Sequence, residues 1–210
     1  MQNLLLEKSA SILLIEGRVE TNIVVAAPHH TPGGNKNMPC PEHTDGDENT
    51  GIIARMLAET LNVSSIIACN YPIDSNKSLE TDYARQILQW KPKYLIEIHG
   101  HGAKGGAKPS DYIIEVSSGT EARETTAIEF ANTLKEQLQI YSELENYNVK
   151  GEWDQIHFRA SKTATIIDER WIPIHIELPP SLRLSPDNTL PEFITKFVDC
   201  LAVTIKQVCK

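Results

Sequence analysis

The chain has 210 residues, of which 40% are hydrophobic and 23% charged, and a formal net charge of -8. This is the composition of a globular protein long enough to bury a substantial core, and one domain spanning 1–210 is expected. The acidic balance argues against a protein that wraps nucleic acid or lies on an anionic membrane, since both need a basic surface; small polar ligands stay open.

Four cysteines, Cys40, Cys69, Cys200 and Cys209, lie far apart with no CxxC pair. They predict neither a disulfide framework nor a thiolate zinc site. The opening MQNLLLEKSA carries no basic n-region, and no apolar run reaches the roughly 18 residues that span a bilayer. A cytoplasmic location is the resulting expectation.

In chain order, SILLIEGR (11–18) and residues 22–28 read as two strands joined by a short connection, an antiparallel pair opening the sheet. Residues 29–47 form a long Pro/Gly-rich loop, a length that inside compact domains is functional or disordered. The stretch 49–61 spaces Ile52, Ile53, Met56, Leu57 and Leu61 as the apolar stripe of a helix, and SSIIACN follows as a short buried strand. Ser78 is placed to cap a second helix, 79–91, which ends against Pro92. KYLIEIHG is the next strand, with Glu97 and His99 on one face and Tyr94, Ile96 and Ile98 on the other. HGAKGGAKPS lacks the GxxxxGK[ST] spacing of a phosphate cradle and reads as a mobile rim. DYIIEVSS is a strand, 121–138 a helix, 140–171 shows no sustained period, PIHIELPP is a strand, and 189–209 is the closing helix with Pro191 near its first turn. Strands alternating with helices predict a three-layer α/β sandwich with a mostly parallel mixed sheet and helices on both faces.

That architecture converts scattered residues into a site, because parallel strands bring their C-terminal ends to one edge. Three strand ends present His29 or His30, His99 or His101, and Glu177. After the first of them a loop returns with Asp45, Asp47 and Glu48, and Glu48 would stand at a helix N-terminus, where a carboxylate is favoured. Two imidazoles and one carboxylate leave a fourth zinc position open, as catalytic rather than structural sites do. Iron or manganese suits the same donors. Such a site also needs a carboxylate that is not a ligand to move the proton, and Glu177 fits that role. Taken singly, these motifs have plainer readings. PHH is commonly an exposed loop, DGDE a solvated turn that fails calcium-loop spacing, and His43, His157 and His175 structural. A glutamate inside the Pro-bounded strand at 177 is harder to explain as inert, because burying it unpaired is costly.

PHH followed by DENTG, then IEIHGHG, then IHIELPPSLR, resembles the zinc hydrolases of the carboxypeptidase-like α/β fold, most of all the N-formylglutamate amidohydrolase and poly-γ-glutamate hydrolase branch. The resemblance spans residues 22–185 through short motifs in order. It implies zinc held by His29, Glu48 and His99, with His30, Asp47 and His101 as alternates, and Glu177 as catalytic base. It also implies arginines that grip a substrate carboxylate, for which Arg183 and Arg159 are the candidates. The expected substrate is a small N-acyl amino acid or short carboxylate-bearing peptide. The competing expectations are a binding module holding a metal or acidic ligand without turnover, and a two-metal phosphoesterase using Asp45 and Asp47. The chain departs from the simplest family spacing, since Glu48 stands eighteen positions after His30.

Overall fold

The computed structural model describes residues 2–7, 9, 11–18, 22–102 and 110–210. Among the described residues eight strands form one sheet: β1 (Ile12–Glu16), β2 (Ile23–Thr31), β3 (Asp47–Glu48), β4 (Ser64–Cys69), β5 (Tyr94–Gly100), β6 (Ile113–Ser117), β7 (Asn148–Lys150) and β8 (Ile172–Leu178). The helices are α1 (Thr50–Leu61), α2 (Asp82–Trp90), α3 (Glu124–Leu138), the single turns α4 (Ala164–Ile167) and α5 (Pro180–Arg183), and α6 (Ile194–Val208). The strand order is β1-β4-β2-β5-β8-β6-β7, with β3 paired to β2 off that path. The central run β4, β2, β5, β8 is parallel, while β1 joins β4, and β6 joins β8, antiparallel.

The two faces of the sheet differ in chemistry. One is mainly apolar: Val25, Ala27, Ile67, Ile96, Ile98, Ile174 and Ile176 pack against the stripes of α1, α3 and α6. The other is apolar only beneath α2, where Val24, Ala26, Ile66, Ala68 and Leu95 meet Tyr83, Ile87 and Trp171. Over the remaining half it carries Glu97 and His99 from β5, His175 and Glu177 from β8, and Glu115 and Ser117 from β6 in adjacent register. Helices on both faces of a mixed, mostly parallel sheet make the expected three-layer sandwich.

Local departures from the sequence reading have physical causes. β1 does not pair with β2, because β4 lies between them and β1 takes the sheet edge. The cap of α2 is Thr81 rather than Ser78: its Oγ1 accepts the Ala84 amide at 3.1 Å and the helix starts at Asp82. The closing helix begins at Ile194, with Pro191 contributing a carbonyl to the Ile194 amide just before it. The 140–171 region, which has no period, yields the short β7 and α4 and otherwise runs as hydrogen-bonded turns. The Gly/Lys loop read as a rim lies, over 103–109, outside the described residues. Among the described residues no helix is long and apolar enough to cross a membrane.

Candidate metal centre

A β-bulge decides which histidine enters the cleft. β2 pairs in register with β4 through Ala27↔Ile67, but the next pair is His30↔Cys69, so β2 has gained one residue at Pro28–His29. An extra residue reverses the alternation of side chains. His30 therefore falls on the apolar face, where a Cβ on Gly51 of α1 would stand 2.6 Å from its ring. Its Nε2 bonds the Leu5 carbonyl at 3.0 Å, and burial pushes its pKa down to about 4. His29 is turned to the polar face.

A second local device delivers the carboxylate. Residues 47–48 are not the first turn of the helix but a two-residue strand parallel to the end of β2, with His30↔Asp47 and Thr31↔Glu48 as partners. The turn into α1 is made by Asn49 in the left-handed conformation, φ 63°, which Asn tolerates better than most residues. Its side chain ties three segments together, accepting from the Gly33 amide and donating to the Arg183 and Asn188 carbonyls. Adjacent strand residues point opposite ways. The contacts set the carboxylates apart: Asp47 faces His29 and His99, while Glu48 accepts the Gly34 amide at 2.8 Å.

Asp47 Oδ2 lies 3.2 Å from His99 Nδ1 and 3.7 Å from His29 Nδ1, and it has no hydrogen-bond partner. The far nitrogen of each imidazole meets a buried carboxylate: His29 Nε2 to Asp74 Oδ1 at 2.9 Å, and His99 Nε2 to Glu97 Oε2 at 3.3 Å. Such carboxylates fix the orientation of each ring and aim its Nδ1 at the centre. Glu97 is fully buried, and it also takes hydrogen bonds from Tyr83, Asn76 and Thr165. Burial by itself would lower His99 and raise Asp47. Their mutual contacts outweigh it, lifting His99 to about 10 and holding Asp47 far below the usual carboxylate range. His29 is raised for the same reason, Asp47 and Asp74 overcoming its burial. Two Nδ1 atoms and one unpartnered carboxylate oxygen, gathered and oriented in this way, fit a divalent cation of the zinc class.

Glu177 stands beside this cluster, grouped with His99 and His175. Burial raises its pKa to about 7, against the opposing pull of His99, and its Oε2 has no partner. Burial and His99 hold His175 well below its ordinary value. His43, from the long loop, stacks on His29 with ring centroids 3.8 Å apart. The cluster forms the floor of a cleft of about 730 Å³. One wall is the 157–163 segment, held by Glu115, which accepts the His157 and Phe158 amides at 2.8 Å, and by Ser117, which donates to the Arg159 carbonyl.

The other sequence candidates line the same cleft without joining the cluster. His101 lines the cleft, but its Nε2 is bonded to the Ile113 carbonyl. Asp45 is exposed on the loop and outside the metal-holding groups of the described residues. Arg183 is 4% exposed and donates to the carbonyls of Leu178, Glu48 and His101, so it fastens the ends of β8, β3 and β5 together. Arg159 is exposed at the cleft mouth, its guanidinium against Trp153. Sequence reasoning passed over Asp74, which follows the C-terminal end of β4. The strand-end argument applied to the other parallel strands reaches it equally well.

The fold is a three-layer α/β sandwich with the polar cluster at one edge of its parallel core. No family model and no curated protein matches the chain. Among solved structures it is similar to a bacteriophage poly-gamma-glutamate hydrolase, with TM-score 0.58 and 11% identity over 94% of this chain and 89% of that one. It is equally similar to N-formylglutamate amidohydrolase from Ralstonia eutropha JMP134, with TM-score 0.58 and 12% identity over 95% and 97%. A carboxypeptidase A-like protein from Shewanella denitrificans OS-217 gives 0.52 and 12%, covering 94% of this chain and 60% of that one. At this identity the likeness is one of fold.

Proposed function

We propose that the chain is a single-domain metal-dependent amidohydrolase, that His29, Asp47 and His99 hold one zinc ion, and that Glu177 is its general base. The observation that carries the reading is the convergence of His29 Nδ1 and His99 Nδ1 on an unpartnered Asp47 oxygen, with a buried carboxylate behind each ring. Asp47 takes the role that the family resemblance would give to Glu48, because β3 points Glu48 at the Gly34 amide. A zinc ion in such a set polarises a carbonyl and brings the pKa of water to about 7.

The remaining steps belong to the chain. Glu177, ionising near neutrality, takes a proton from water and passes it to the leaving nitrogen, which requires a carboxyl that exchanges its proton readily at working pH. His29 and His99 keep their orientation through Asp74 and Glu97. Arg159 is the better placed of the two arginines to grip a substrate carboxylate, since Arg183 is already committed to three carbonyls. Lys36, Lys77 and Lys162 line the same cleft and favour an anionic substrate, an N-acyl amino acid or a short carboxylate-bearing peptide. The names of two similar solved hydrolases, one of poly-γ-glutamate and one of N-formylglutamate, support that class.

The test is a panel of N-formyl and N-acetyl amino acids offered to the zinc-loaded chain and to Glu177→Gln. Release of free amine by the wild type, with kcat lowered about 10²- to 10⁴-fold in the variant at unchanged metal content, is the expected result. Turnover in Glu177→Gln equal to wild type would remove Glu177 from the mechanism. Metal retained with no turnover of any panel member would favour the binding-module reading.

A further inference from the structure

β8 places two polar side chains, His175 and Glu177, on the same face two residues apart. The neighbouring strands bracket them, with Glu97 and Ser117 beside His175, and His99 and Glu115 beside Glu177. His175 Nε2 lies 3.4 Å from Glu177 Oε1, and the His175 ring packs on His99 with centroids 4.4 Å apart. Both residues line the cleft, and both are more than nine-tenths buried. Each keeps one atom without a partner, Nδ1 of His175 and Oε2 of Glu177. A buried polar atom left unpaired is unfavourable, a cost that an aliphatic side chain at position 175 would not incur. On the opposite face of β8, Ile174 and Ile176 pack into the apolar core with helices α1, α3 and α6.

We propose that His175 is a positioning residue for Glu177, its Nε2–H holding Oε1 so that Oε2 is the single oxygen presented to the reacting groups. This rests on the hydrolase reading above. A glutamate reaches its carboxylate through three rotatable bonds, and a misplacement of about 1 Å in a reacting group costs on the order of 100-fold in rate. A neutral imidazole carries one N–H. Directing it at Oε1 leaves Nδ1 as a bare acceptor on the cleft wall, in keeping with its lack of a partner.

The experiment compares His175→Ala, His175→Gln and His175→Asn, each zinc-loaded, by kcat, KM and metal content on N-formyl and N-acetyl amino acids. Glutamine can return an N–H to the position of Nε2, whereas the asparagine amide falls at the level of Nδ1. The expected result is a kcat about 10- to 100-fold lower in His175→Ala with KM and metal content unchanged, recovered by Gln and not by Asn. In a Glu177→Gln background the further change to His175→Ala costs nothing, because the two residues act as one unit. Wild-type kcat in His175→Ala, or an equal loss in both backgrounds, or a variant that loses its metal, would each overturn the assignment. A wild type that retains its metal and cleaves no panel member overturns the hydrolase reading itself, and the assignment with it.

Discussion

At the scale of the residue, the carboxylates of this site are sorted by what surrounds them rather than by type. Asp47 is stripped of water and yet stays ionised because two imidazoles face it. Glu177 is stripped of water with weaker compensation, and its pKa rises to about 7 from an ordinary 4.5. The rise has a thermodynamic sign. Between those two values the folded, metal-free chain keeps a proton that the unfolded chain has lost, so the stability Glu177 contributes is complete below about pH 4.5 and is lost as pH rises through about 7. Glutamine imitates the protonated acid. In chelated protein, Glu177→Gln should melt with the wild type at pH 4.5 and above it at pH 8, each kcal/mol appearing as roughly 2–4 °C. Equal melting temperatures at both pH values would show that Glu177 is not desolvated as described. The same residue would thus be destabilising and useful, a pairing common where activity needs a strained group.

At the scale of the element, two short irregularities build the centre: the bulge in β2 and the two-residue strand β3. Neither is legible from hydrophobic pattern, which explains what the sequence could and could not supply. His29, His99 and Glu177 could be expected at one edge because a parallel sheet gathers its strand ends, and the alternation in β5 put Glu97 and His99 on one face, as the register has them. The choice between His29 and His30 could not be made, because a one-residue insertion in register flips every following side chain and leaves no compositional trace. The choice between Asp47 and Glu48 turned on Asn49, which extends the strand to residue 48 where a helix start was expected. Asn49 should therefore govern metal affinity without touching metal. Asn49→Ala loses the three side-chain bonds and adds a left-handed alanine, whereas Asn49→Gly loses the bonds alone. Both should bind zinc more weakly than the wild type, and the alanine form should be less stable than the glycine form by about 1–2 kcal/mol. Unaltered zinc affinity in both would mean that Asp47 is held by something else.

At the scale of the whole molecule, a chain of net charge -8 surrounds its cleft with Lys36, Lys77, Arg159 and Lys162. A cationic mouth on an acidic body concentrates small anions at the site and discourages long polyanions elsewhere, and salt screens such fields over about 10 Å at 0.1 M. For an N-acyl amino acid, kcat/KM should fall between 0.02 and 0.5 M salt (~10-fold or less), and Arg159→Ala should raise KM more than it lowers kcat while flattening that dependence. A salt-independent kcat/KM would place substrate recognition outside the charged rim. Activity, substrate choice and the role of Glu177 all turn on the proposed metal centre, so the most direct measurement is metal per chain by elemental analysis after purification without added metal or chelator. The comparison sets the wild type beside His29→Ala, Asp47→Ala, His99→Ala, Glu48→Gln and Glu177→Gln. One zinc is expected in the wild type, in Glu48→Gln and in Glu177→Gln, and none in the three alanine variants. Metal lost in Glu48→Gln and kept in Asp47→Ala, or no metal in the wild type even after zinc is supplied, would contradict the proposed centre.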